Sequence, residues 1–84
     1  MILQHLQRAF EAFSHEAYEK VKGYLLDMEI ALWSESISGK PPAYRTRWFA
    51  SKELITVVLG LINEQRYPDA LAKMWELKVV VEAV

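Results

Sequence analysis

The chain has 84 residues, 52% of them hydrophobic and 25% charged, with a net charge of −1 and no cysteine. That is one domain at most, with a small core and no disulfide or thiolate metal site to reinforce it. It also leaves too little positive charge to draw nucleic acid in from a distance, and oligomerisation is the source of extra stability to expect.

Residues 2–35 read as one long helix. Leu3, Leu6, Phe10, Phe13, Ala17, Val21, Tyr24, Met28 and Leu32 recur at the helical period and form an apolar stripe. Gln4, Arg8, Glu11, His15, Glu19 and Lys22 lie opposite, and Glu16 with Lys20 is a favourable pair one turn apart. Ser14 and Gly23 are the two points where this helix could bend or break. Unbroken, it would be about 50 Å long.

Residues 36–43, "SISGKPPA", form the clearest break, through Gly39 and the Pro41-Pro42 pair. A second helix is expected over 44–66, with Tyr44, Trp48, Ile55, Val58 and Ile62 on one side. Between 54 and 62 its apolar residues wrap all round, so it needs cover on every side. One long and one short neighbour supply too little, which argues for a second copy. A buried strand paired with the final "VVVEAV" is the competing reading of the same stretch.

Tyr67-Pro68-Asp69 makes a second corner, with Pro68 and Asp69 suited to a helix start. A third helix then runs over 68–82, with Ala70, Met74, Leu77 and Val81 on one face. Asp69 with Lys73, and Lys78 with Glu82, support it at one-turn spacing. No internal repeat is evident.

Residues 54–62 are far shorter than the ~20 apolar residues of a membrane-spanning helix. The opening "ILQHLQRAF" has neither the basic region nor the apolar core of a secretion signal. A cytoplasmic protein without membrane contact is expected.

Charge is unevenly placed. Residues 1–35 carry a net −3, residues 36–52 carry +4 from Lys40, Arg45, Arg47 and Lys52 without one acid, and residues 53–84 carry −2. Arg45 and Arg47 beside Tyr44 and Trp48 suit phosphate binding and base stacking. They also suit a protein partner, and the plainest reading is that they answer the acidic first helix, at Asp27, Glu29 or Glu35 of the same or a partner subunit.

Two other patterns stand out. Tyr67 and Ala70, opening an amphipathic helix after another helix, resemble the middle of a tetratricopeptide hairpin over about 30 residues. Leu54 and Val58 stand where that family has Trp and Gly, and Glu82 stands at its closing Pro. The resemblance implies a tight helical hairpin, and a single unit builds no solenoid.

Arg8 and His15 are similar to the Arg-x(4–6)-His pattern of HEPN-type ribonucleases. That resemblance implies His as general acid or base and Arg as phosphate stabiliser at a dimer interface. The plainer reading is a solvated face on which Glu11 pairs with both. Glu11, His15 and Glu19 align three potential metal ligands, but one helix rarely completes a site.

The expected architecture is therefore all-α, a helical bundle of one long helix and a shorter antiparallel hairpin, assembled as a homodimer. Phe10, Phe13, Tyr24 and Trp33 are the expected dimer-interface residues, since the long helix overhangs the hairpin. The expected function is a non-enzymatic protein–protein interaction module, an adaptor or regulator, with no catalytic residue, metal or cofactor. The alternative is a nucleic-acid-binding helical dimer. Lys40, Tyr44, Arg45, Arg47 and Lys52 are the expected contacts in either case.

Overall fold

A computed structural model describes residues 2–35 and 38–82. Within them all the regular structure is helical, in four helices: α1 Ile2–Ser14, α2 Tyr18–Ser34, α3 Pro42–Asn63 and α4 Tyr67–Glu82. No described residue is in a strand, so residues 54–62 are helical.

The single long first helix is not formed. It breaks at Ser14–Ala17, the first of the two weak points, while Gly23 passes unbroken within α2. The break is a Schellman cap: the Ala17 amide donates to the Ala12 carbonyl at 2.9 Å and the Glu16 amide to that of Phe13 at 3.0 Å. Glu16 takes a left-handed φ of 57° to allow it. Glu16 has thus left the helix, and its expected pair with Lys20 is not made; Glu19 pairs with Lys22 at 3.0 Å.

The corner between α3 and α4 repeats this geometry. Arg66 donates to Leu61 at 2.8 Å, Gln65 donates to Ile62 at 3.0 Å, and Gln65 has φ 60°. A register that matches Glu16 to Gln65 matches Tyr18 to Tyr67. It also matches the buried residues Leu6 to Ile55, Ala9 to Val58, Ala12 to Leu61, Val21 to Ala70, Leu25 to Met74 and Met28 to Leu77. The chain is two equivalent helical hairpins, a repeat that the sequence reading missed because the one identical pair is Tyr18 and Tyr67.

Each hairpin packs most closely on itself, and the two join through α2 with α3 and α1 with α4, without diagonal contact. Short corners make the neighbours antiparallel. Leu6, Leu25, Met28, Ile55, Met74 and Leu77 lie fully buried between them. No long helix overhangs, which removes one ground on which a dimer was expected. α3 has α2 and α4 on two sides, so Ile55, Val58, Leu61 and Ile62 are buried within one chain, while Val57 stays 38% exposed and Leu54 and Leu59 only partly buried.

The two ends of the bundle differ. At the end with the tight corners, Tyr18 and Tyr67 stack at 3.7 Å between ring centroids and 4° between planes, with Phe13 edge-on to Tyr18 at 5.4 Å. Burial, then the nearby Glu16 and Tyr67, raises the Tyr18 phenol above its ordinary titration value. The other end carries the start of α1, the end of α4 and the connection from α2 to α3. There Gly39 supplies a φ of 80°, and Pro41 and Pro42 open α3. Hydroxyls of Thr46, Ser51 and Thr56 donate to the carbonyls one turn back, at 3.0, 2.8 and 3.2 Å, so they sit within α3 without orphaned groups.

Candidate functional site

Two stripes of identical spacing face outward together. On α2, Leu26, Ile30 and Trp33 stand at i, i+4 and i+7, exposed to 48%, 63% and 63%. On α3, Arg45, Phe49 and Lys52 repeat the spacing, with Phe49 exposed to 56%. Antiparallel packing brings the Trp33 end of the α2 stripe against Lys52 of the α3 stripe. Trp33 lies edge-on to Trp48 at 6.0 Å, and Trp48 edge-on to Phe49 at 4.9 Å.

Trp48 is the fixed point of this face. Its ring is buried, and its Nε1 donates to the Leu32 carbonyl at 2.9 Å, tying α3 to the end of α2. Lys52 Nζ stands 3.1 Å from the Trp33 ring centroid and 4.6 Å from that of Trp48. A cation held between two indoles has part of its hydration replaced by ring faces and still lacks a counter-charge.

The positive residues do not act as one cluster. Arg45 and Lys52 share the outward face by their spacing, Arg47 borders a cavity that Val81 of α4 also lines, and Lys40 stands 5.3 Å over the Tyr44 ring. None of the four forms an ion pair among the described residues; the pairs found are Lys22–Glu19, Arg66–Asp69, Lys73–Glu76 and Lys78–Glu82. The cations therefore do not neutralise Asp27, Glu29 or Glu35. Asp69 is taken by Arg66 at 2.8 Å instead of Lys73, whereas Lys78 and Glu82 pair as expected at 2.6 Å. Tyr44 donates its hydroxyl to Glu35 Oε2, and that bond, then burial, then the Glu35 charge, raises the phenol above its ordinary value.

The four expected interface aromatics are dispersed. Phe10 packs on Trp75 at 4.7 Å, Phe13 on Tyr18, and Tyr24 is half-buried against the core, so these three serve their own chain. Trp33 alone of the four is widely exposed. Ile30 and Phe49, which the sequence reading did not single out, join it. Their signal was present: Leu26, Ile30 and Trp33 keep helical spacing but lie off the main stripe of Val21, Leu25, Met28 and Leu32.

Arg8, Glu11 and His15 line one shallow depression with Lys20 and Tyr24. The expected pairing of Glu11 with Arg8 and His15 is not made among the described residues. His15 stands beyond the end of α1, so the helical alignment of Glu11, His15 and Glu19 is lost. No group of three or more potential ligands gathers for a metal among the described residues, and no helix there is long and apolar enough to cross a membrane.

No protein-family model, curated protein or solved structure matches the chain.

Proposed function

We propose that this protein is a small non-enzymatic interaction module that docks a protein partner on its α2–α3 face. The carrying observation is Lys52, held between Trp33 and Trp48 and in no ion pair among the described residues, in a face that also exposes Ile30 and Phe49. Such a face suits a partner segment with apolar side chains flanked by carboxylates. Large rigid aromatics supply apolar area at low entropic cost, and a partly desolvated ammonium rewards an incoming carboxylate. The nucleic-acid reading draws less support. Only Arg45 and Lys52 of the four cations share the aromatic face, and the net charge is −1.

The test is site-specific photo-crosslinking in the native host. A benzoylphenylalanine at position 49 should give a covalent adduct with another protein, absent when the probe is at position 20 and lost on Lys52→Glu. An adduct with nucleic acid, or with a second copy of the chain only, defeats the reading, as does an adduct indifferent to Lys52→Glu.

A further inference from the structure

The end of the bundle opposite the stacked tyrosines is open. All four helices contribute to a cavity of about 470 Å³ there, walled by Ile2, Leu3, Leu32, Trp48 and Val81. That volume is in the range of small-molecule sites, roughly 300–1,000 Å³. Its polar groups are few, and most are already engaged. The Trp48 Nε1 donates to Leu32, the Ser51 hydroxyl to the Arg47 carbonyl at 2.8 Å, and the Tyr44 hydroxyl to Glu35.

Arg47 is the exception. Its Nε is buried without a hydrogen-bond acceptor, and no acid pairs with its guanidinium among the described residues. A buried donor on a permanent cation is costly to leave unmatched. Glu35 borders both this cavity and a second depression shared with Ser38 and Lys40, and its Oε2 accepts from Tyr44. The cavity group left without a partner is thus the Arg47 cation.

We propose that this cavity binds a small aliphatic carboxylate, with its chain among Leu32, Trp48 and Val81 and its carboxylate on Arg47. The guanidinium presents parallel donors that match the two carboxylate oxygens, which a hydroxyl or an ammonium cannot accept in the same way. This site shares Trp48 with the α2–α3 docking face, but its ligand contact, Arg47, does not depend on a partner bound there.

The test uses the full chain and three ten-carbon probes below their micellar concentrations: decanoate, decanol and decylammonium. Calorimetry should show saturable one-to-one binding of decanoate, with decanol weaker by about tenfold for the lost charge-assisted bonds. Decylammonium should be weaker still. Arg47→Met, which keeps the side chain's length, should lower decanoate to the decanol level and leave decanol unchanged. Ala31→Phe, at the cavity wall, should weaken both, and Phe49→Ala on the docking face neither. Circular dichroism checks that each variant is folded. Equal affinity for decanoate and decanol, tightest binding of decylammonium, a decanoate preference that survives Arg47→Met, or no saturable binding would each overturn the proposal.

Discussion

Tyr44 shows how one side chain links the loop to the bundle. It opens α3, supports Lys40 on its ring and donates to Glu35 at the end of α2. Tyr44→Phe removes that bond and should cost about 1 kcal/mol at neutral pH. The folded phenol titrates above the ordinary 10.0, so its contribution is complete below that value and disappears as pH rises through the folded-state value. The stability gap between wild type and Tyr44→Phe, from urea unfolding at a series of pH values, should hold to about pH 10 and then close. A gap that widens with alkali contradicts the bond. Tyr44 was readable in the sequence as part of an aromatic, basic segment. Its partner Glu35 was one of three acids offered to the arginines, and spacing alone does not reveal that a phenol takes it.

At the scale of the helices, the sequence showed that the chain is helical, that it breaks between 36 and 43, and that a corner precedes Pro68. It marked Ser14 and Gly23 as weak points in the first helix but did not show that the chain turns a full corner after Ser14. Helices ended by this type of cap usually place glycine in the left-handed position, and here Glu16 and Gln65 stand there. The apolar stripe also continues in phase across the corner, from Phe13 to Ala17 and Val21, so periodicity read through it. Both residues carry the steric cost of a Cβ in left-handed backbone. Glu16→Gly and Gln65→Gly should therefore each raise stability by about 0.5–1 kcal/mol, seen as a melting temperature higher by roughly 4 °C for a chain of this size. A fall in melting temperature on either substitution argues against the cap geometry at that corner.

For the whole molecule, the decisive feature is that α1–α2 and α3–α4 are interchangeable in shape while sharing almost no residue identity. Large and small residues are redistributed between matched positions, Ala9 with Val58, Ala12 with Leu61 and Val21 with Ala70, so burial is matched site by site and side-chain size is not. A search of the sequence for repeated residues fails for that reason, although the matched burial is regular. The docking face was only half legible: its cations and Trp33 were visible, but which of them share a side depends on how the hairpins meet. The same architecture gives the segment between Ser34 and Pro42 a special position, as the sole covalent link between two halves that recognise each other. If that link cannot fold back, each half can satisfy its contacts on another molecule, exchanging hairpins so that two complete bundles form from two chains. Removing residues 38–40 should thus double the mass seen in light scattering relative to the full chain without loss of helicity, and a shortened chain of unchanged mass and stability contradicts it. Self-association would then need no exposed apolar surface at all, because the interface between partners would be the interior of the fold itself.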